Sequence, residues 1–154
     1  MTYTLTIPSS ELDRVAQELQ RKVELVRSDV QLAMAEAFED TVLNNFGPVG
    51  EDRPFDWPPL SPAYAKKVGR TFATLYVTGS MKQAVKIDSQ MESADVVLAD
   101  ADCAYATPHH RLSAAPPGLP TRRVFPIDEA NEVTPYTFRK VVDAAADALG
   151  RMLR

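Results

Sequence analysis

Residues 12–37, LDRVAQELQRKVELVRSDVQLAMAEA, carry the pattern that decides the fold. Apolar residues recur in this stretch at alternating steps of four and three, which is the spacing of an apolar stripe along a long helix. The Gly47-Pro48 pair supplies a stop signal, so the sequence predicts a helix from about residue 10 to about residue 45. The residues of the stripe are Leu12, Ala16, Leu19, Val23, Val26, Val30, Ala33 and Ala37.

The length of this helix leaves two interpretations of its stripe. At 1.5 Å per residue the helix spans roughly 50 Å, which is long for a protein of 17.0 kDa. The stripe either packs lengthwise on a sheet in the core or lies in part against a neighbouring subunit. Ala16, Ala33 and Ala37 permit close approach in both cases.

Prolines divide the rest of the chain. Of the 12 prolines, five lie between residues 48 and 62 and five between residues 108 and 126. Proline interrupts helices and central strands, so these stretches are predicted to be irregular connections between three regular regions. The length predicts one domain that covers residues 1–154.

Short elements are predicted between and after these connections. Ser61-Pro62 is typical of the start of a short helix, and Thr134-Pro135 of the start of a C-terminal helix. Residues 85–89 and 96–99 predict a hairpin, and residues 122–127 a further strand or an extended edge. The order predicts an α+β domain with a long N-terminal and a C-terminal helix packed on a small antiparallel sheet. The predicted apolar face of the C-terminal helix is Phe138, Val141, Val142, Ala145, Leu149 and Met152.

Composition excludes several classes of protein. Apolar residues make up 45% and charged residues 25%, so wholesale disorder is excluded. No run of residues is apolar enough to span a membrane, and the N-terminus lacks the pattern of a signal peptide. The single cysteine, Cys103, fits a reducing compartment. A net charge of −4 argues against a general nucleic-acid binder.

Charge is nevertheless arranged in two blocks. Residues 57–87 contain basic but no acidic residues, whereas residues 87–110 contain acidic but no basic residues. Three interpretations of these blocks are open. They are solvated faces, they pair with each other within one subunit, or they form opposite flanks that favour head-to-tail contact between copies. A basic face toward DNA is a further alternative. The basic residues are Lys66, Lys67, Arg70, Lys82 and Lys86, and the acidic ones are Asp88, Glu92, Asp95, Asp100 and Asp102.

Patterns for catalysis and metal binding are weak. Adjacent residues on a strand point to opposite faces, so His109 and His110 do not chelate one ion there. A Cys103/His109 nucleophile and base, as in a small thiol hydrolase, has no accompanying oxyanion or orienting motif. The sequence also has no phosphate-binding loop and no serine elbow. We therefore predict no enzyme activity, no metal and no cofactor.

Four blocks resemble the phage virion morphogenesis family, the tail-completion proteins of Mu-like tailed phages and prophages. Residues 57–69, WPPLSPAYAKKVG, resemble its signature W-x-P-L-S-P followed by K-x-G, and residues 75–84, LYVTGSMKQA, are similar to its L-x-x-T-G-x-L-x-x-S. Tyr105-Ala106 with His109 stands where the family has Y-A-x-x-H-x-x-G, and residues 120–125, PTRRVF, resemble P-x-R-x-F. The blocks occur in family order and, with the terminal helices, span nearly the whole chain.

The sequence departs from the family pattern at three places. Leu112 replaces the glycine after the histidine, and Ala84 replaces the serine that ends the second block. A Pro-rich insertion, Ser113–Pro120, follows Leu112. The loop from Tyr105 to Pro120 is therefore where this protein is expected to differ from its relatives.

The resemblance implies a structural role in completing the tail or joining it to the head at the neck. Related proteins have an α+β fold and assemble as rings, often hexameric, without enzymatic activity. The expected partners are copies of this chain in a hexameric ring, together with tail-tube and neck or connector proteins. DNA contact through the basic segment is not expected to be primary, and no membrane contact is expected. The expected location is the virion tail or neck, assembled in the host bacterial cytoplasm.

Trp57, Leu60 and Tyr64 allow two interpretations: they close the end of the core, or they form an exposed apolar anchor for a partner. Under the second interpretation, Trp57→Ala weakens assembly more than it weakens the folded subunit. The residues expected at interfaces or closing this motif-rich part of the core are Phe55, Trp57, Leu60, Tyr64, Lys66, Lys67, Arg70, Arg122 and Arg123.

Overall fold

The computed structural model describes residues 9–47, 49–69, 80–90, 93–98, 122–152 and 154. The helices are α1 (Ser9–Asn44), α2 (Pro62–Val68), α3 (Ser80–Gln83) and α4 (Pro135–Met152), and the strands are β1 (Val85–Ser89) and β2 (Ala94–Leu98). The predicted α+β class with two terminal helices and a small antiparallel sheet is confirmed. Within the described ranges, no helix is long and apolar enough to cross a membrane.

The first part of α1 is exposed on all sides. With 36 residues, α1 is about 54 Å long. Every side chain from Asp13 to Leu25 is exposed, including Leu19 at 59% and Val23 at 66%, whereas covered side chains begin at Val26. The predicted helix is confirmed, but the interpretation of a stripe packed lengthwise in the core is wrong for residues 13–25.

Helix α4 explains where the covered part of α1 begins. At the start of α4, Lys140 Nζ lies 2.7 Å from Asp40 Oδ2, close to the end of α1. The first turn of α4 is held by Asp52, just past the end of α1, and Val141 lines the same cleft as Met34, so α4 runs back along α1. Helix α4 has 18 residues and is about 27 Å long, half the length of α1. The residues of α1 before about Val26 therefore extend past the end of α4.

The buried face of α4 differs from the predicted one. Thr137 and Ala148 are buried; of the predicted apolar face, Val141, Ala145 and Met152 are half-buried, whereas Phe138, Val142 and Leu149 are exposed. Thr137 is buried beside its hydrogen-bond partner Asp52, whereas Phe138 and Val141 line a cleft with Met34 and Phe38 of α1. The helical spacing of apolar residues predicted the position of the helix correctly. The prediction placed the large apolar side chains on its buried face, and this was only partly right.

The sheet is a two-stranded hairpin. Strands β1 and β2 pair antiparallel, in a register that runs from Val85↔Leu98 to Ser89↔Ala94, as predicted. Residues 122–127 form no strand: among the described residues their backbone bridge is the isolated Ile127↔Val133, so the predicted further strand is wrong. Side chains donate to the carbonyls of Arg123 and Val124, whereas the backbone N–H groups of Ile127 and Thr134 donate to the carbonyls of Phe125 and Pro126.

The core lies around the C-terminal end of α1. Phe38 and Phe125 stack at its edge with ring centroids 6.2 Å apart. Helix α2 contributes no buried residue and sits outside, with the predicted caps: Ser61 Oγ accepts from Tyr64 N, and Gly69 has a φ of 65°. The buried cluster consists of Val42, Phe46, Trp57, Met81, Ala84, Val85 and Val124.

A buried amide joins α1 to two distant segments. The Nδ2 atom of Asn45 donates to the carbonyls of Asp52 (2.9 Å) and Val124 (2.8 Å). Its Oδ1 accepts from the backbone N–H groups of Glu51 (3.0 Å) and Asp52 (2.8 Å). The two donors and two lone pairs of the amide are therefore all used.

We expect Asn45→Ala to lower the free energy of unfolding by at least about 2–3 kcal/mol, because it leaves buried backbone groups without partners. Asn44→Ala is the matched control, since the exposed Asn44 side chain bonds only Glu51 and its loss is expected to be well below 1 kcal/mol. Urea unfolding followed by far-UV circular dichroism measures both. Equal losses in the two variants would show that the amide does not hold these segments together.

Candidate functional site

The predicted interface residues fall into a buried group and an exposed group. Trp57 is 8% exposed and belongs to the core, where its Nε1 donates to the carbonyl of Arg123 at 2.9 Å. Phe55 and Leu60 are half-buried and pack against the same cluster. For these three residues the core-closing interpretation is the right one, and Trp57 is not an exposed anchor.

Arg53 connects the end of α1 to Trp57. Its Nε and Nη2 donate to the carbonyl of Asn45 at 2.9 and 2.7 Å, and Nη2 also donates to the carbonyl of Gly47. The guanidinium lies 3.7 Å from the centroid of the Trp57 ring, which is a cation–π distance. Burial lowers the pKa of Arg53, although nearby Asp56 opposes the shift, and the group stays protonated. Sequence reasoning did not single out this arginine.

Arg122 and Arg123 are also interior residues, 7% and 4% exposed. Arg122 Nη2 donates to the carbonyl of Pro58 at 3.2 Å. Arg123 Nη1 donates to the carbonyls of Ile127 and Asp128, both at 3.1 Å. Burial lowers the pKa of both guanidinium groups. Both side chains hold the segment at residues 122–127 in place and present no contact surface to a partner.

The exposed group lies on α2. Tyr64 is 42% exposed, and Lys66 and Lys67 are exposed on its last turn, where cations stabilise a helix. Lys86 is exposed on β1, and Arg70 lies outside the described residues. Of the predicted interface set, only the three α2 side chains are at the described surface.

The residues of the catalytic alternative, Cys103 and His109, also lie outside the described residues, as does the insertion Ser113–Pro120. In the part of the chain that the structure describes, no group of His, Cys, Asp and Glu side chains has the arrangement of a metal site.

Two carboxylates that sequence reasoning missed fix the start of α4. Asp52 Oδ2 accepts from Thr137 N at 3.0 Å and from the hydroxyls of Thr134 and Thr137. It therefore caps the first turn of α4, where free N–H groups favour an anion. The Thr134-Pro135 pattern predicted this helix start. The acceptor that caps it, however, is Asp52, which lies 85 positions before Thr137 in the sequence.

Glu51 forms the second contact with α4. It accepts from Lys140 Nζ and Tyr136 Oη, both at 2.8 Å, and from Asn44 Nδ2 at 2.8 Å. The hydrogen bond from Lys140 is the main reason why the pKa of Glu51 lies below its ordinary value of 4.5, and burial opposes the shift. Burial alone lowers the pKa of Lys140, but hydrogen bonds to Asp40 and Glu51 raise it above 10.5.

Exposed apolar surface is the remaining candidate for function. We call residues 13–25 of α1 the overhang; it carries Val15, Leu19, Val23 and Leu25, all at least half exposed. A cleft of about 470 Å³ opens between α1, β2 and α4. Its apolar lining includes Met34, Phe38, Val96, Val133, Phe138 and Val141. Apolar surface of this kind marks interaction sites in soluble proteins.

Comparison with protein-family models, curated proteins and solved structures finds no match to this chain. The function is therefore inferred from the sequence blocks and from this exposed surface.

Trp57→Ala is expected to reduce the free energy of unfolding by about 3–5 kcal/mol, because it empties a core position and removes the bond to Arg123. Trp57→Phe keeps most of the buried ring and should lose only about 1–2 kcal/mol. The exposed Tyr64→Ala serves as the control with a change near zero. Because Trp57 is the only tryptophan, unfolding is followed by circular dichroism. A wild-type midpoint for Trp57→Ala would restore the exposed-anchor interpretation.

The Glu51 contact predicts a pH dependence. Its folded pKa lies below the unfolded value of 4.5, so its stabilisation is complete above that pH and is lost as pH falls through the folded pKa. At pH 7, Glu51→Gln should be less stable than wild type by about 0.5–1 kcal/mol, and the difference should shrink below about pH 4.5. Urea unfolding between pH 3 and 8 measures it, with the exposed Glu132→Gln as control. A difference that is constant with pH would contradict the assignment.

Proposed function

We propose that this protein is a structural assembly protein of a tailed phage or prophage, which completes the tail or joins it to the head at the neck by forming an oligomeric ring. The proposal includes its partners: copies of the same chain, tail-tube proteins and neck or connector proteins. It also includes its place, the tail or neck of a virion assembled in the bacterial cytoplasm. No enzymatic step is part of the role.

The observation that carries the proposal is the overhang. An isolated helix in water is only marginally stable at lengths below about 12–15 residues, and most helical stability in proteins comes from packing an apolar face. Here the stripe continues through Leu19 and Val23 without a covering element among the described residues. A neighbouring subunit that covers the stripe accounts for both its exposure and its regular spacing.

The sequence blocks support the type of assembly. Four family-like blocks stand in order along the chain, and two of them contribute Trp57, Leu60 and Arg123 to one junction around the core. Residues that maintain a fold are expected to recur in a structural family without any catalytic role. The observed α+β class agrees with that expected for neck and tail-completion proteins.

The native mass of the purified protein tests the proposal. Light scattering after size exclusion, over a concentration range of about 100-fold, is expected to give a discrete multiple of 17.0 kDa, with six subunits for a hexameric ring. Negative-stain electron microscopy of the same fraction should show closed particles with an axial pore.

Two other outcomes would contradict the proposal. A protein that remains a 17.0 kDa monomer at the highest concentration does not assemble by itself. A monomer that binds duplex DNA, with an affinity that falls steeply with salt, would favour the DNA-contact alternative through Lys66 and Lys67.

A further inference from the structure

Strand β2 has one edge that no described residue pairs with. Among the described residues the sheet consists of β1 and β2 alone, so the hairpin is open on the side of β2 that faces away from β1. The cleft of about 470 Å³ is lined by β2, α1 and α4, and none of its lining residues belongs to β1. The open edge of β2 therefore borders this cleft. An unpaired strand edge is a ready template for a further strand.

The hydrogen-bond pattern of the hairpin shows which groups point to the open edge. Gln90 N donates to the carbonyl of Ser93 at 2.7 Å, and the strand register continues from this pair. In an antiparallel ladder, hydrogen-bonded pairs alternate with pairs that are not bonded to each other. The backbone N–H and C=O groups of Ala94 and Val96 therefore point away from β1. The same two residues line the cleft, so a strand added at this edge would lie in it.

The lining of the cleft sets the sequence that such a strand requires. Successive side chains of a strand point to opposite faces, so every second side chain of an added strand would contact the cleft. Met34 and Phe38 of α1 and Phe138 of α4 make that contact surface apolar, and Phe138 is 60% exposed. The added strand needs apolar residues at alternate positions and polar, solvent-facing residues between them.

Residues 2–7, TYTLTI, have this pattern. They lie outside the described residues, and their sequence alternates three apolar side chains, Tyr3, Leu5 and Ile7, with three threonines. Threonine, tyrosine and isoleucine favour strands, and Pro8 disfavours the helical conformation at the residue before it. The segment carries no charged residue. The sequence therefore predicts a strand with one apolar face directly before α1.

This segment does not reach the cleft of its own subunit. It precedes Ser9, the first residue of α1, and Gln31 is the cleft-lining residue of α1 nearest to Ser9. Along the helix these two residues are about 33 Å apart at 1.5 Å per residue. A fully extended chain of seven residues spans at most about 25 Å, so even Thr2 falls short of the cleft. Only a second copy of the chain offers this segment such a cleft.

We infer that residues 2–7 of one subunit add a strand to the open edge of β2 in another subunit, with Tyr3, Leu5 and Ile7 in its cleft. This inference rests on the proposed self-assembly and names a contact within it. Strand addition at a sheet edge is a recurrent mode of recognition, in which backbone hydrogen bonds supply affinity and alternate side chains supply specificity. The donor and acceptor surfaces differ, so the contact can repeat from subunit to subunit, as a ring requires.

The alternation within the donor segment provides a matched pair of variants. Leu5→Lys/Ile7→Lys places two charges on the face that enters the cleft, whereas Thr4→Lys/Thr6→Lys places the same charges on the opposite face. The first variant should associate at least about 30-fold more weakly than wild type, since central apolar anchors dominate binding at interfaces. The second should keep the wild-type mass. Light scattering after size exclusion measures both.

A second pair of variants tests the acceptor. Phe138→Glu places a charge in the cleft at an exposed position and should weaken association to a similar degree. Val142→Glu is the control, because it is an exposed apolar position on α4 that does not line the cleft. Far-UV circular dichroism and urea unfolding show that every variant is folded.

A disulfide between chains tests the contact directly. In a Cys103→Ser background, a Leu5→Cys chain is mixed with a size-tagged chain that carries Ala94→Cys or Val96→Cys, and the mixture is oxidised. Opposite side chains on paired strands lie about 4.5–5.5 Å apart, which is close to the spacing that a disulfide needs. A mixed disulfide of the two chains is expected with one of the two acceptors. Thr4→Cys, on the opposite face, should not form it.

The outcomes separate the contact from the proposed function. A Leu5→Lys/Ile7→Lys variant that keeps the wild-type oligomer, or equal cross-linking from Thr4→Cys, would overturn the contact while the proposed self-assembly would stand. A discrete dimer with the expected cross-link would confirm the contact and overturn the ring. A wild-type protein that is monomeric at all concentrations would overturn both.

Discussion

Four hydrogen bonds converge on the side-chain amide of Asn45, one residue past the end of α1, and they join three parts of the chain. The amide fixes the backbone at residues 51–52, and Asp52 then caps the first turn of α4. It also holds the carbonyl of Val124, so the segment after residue 121 is tied to the same point. Leaving any of the four groups on this buried amide unpaired would be costly, so the positions of the loop, the segment around Val124 and α4 depend on one another.

Three guanidinium groups extend this junction. Arg53, Arg122 and Arg123 reach backbone carbonyls, and the planar fork of arginine suits such multiple contacts better than lysine does. Of the three, Arg123 donates to a carbonyl within its own segment, that of Ile127, while Arg53 and Arg122 reach the carbonyls of Asn45 and Pro58. The family-like blocks around Trp57 and Arg123 are accounted for by this architecture.

Local patterns predicted the parts of the fold that local interactions decide. The limits of α1, the Ser61 and Gly69 caps of α2 and the hairpin depend on neighbours in sequence, and the structure agrees with each. The bonds of Asn45 to Val124 and of Asp52 to Thr137 join residues 79 and 85 positions apart, which no local pattern indicates. The prediction of the buried face of α4 was incomplete for a related reason, because the side of a helix that is buried depends on the elements packed against it.

The division of α1 into two parts separates folding from assembly. Its C-terminal part carries Val42 and Phe46 into the core, whereas residues 13–25 contribute no buried side chain. Substitutions on the overhang are therefore expected to have little effect on the stability of the folded subunit, while the continuous helix fixes the position of the overhang relative to the core. In the proposed ring, this rigid connection would set the rotation between successive subunits. In a heterologous assembly that rotation determines whether the chain of contacts closes and how many subunits the closed ring contains.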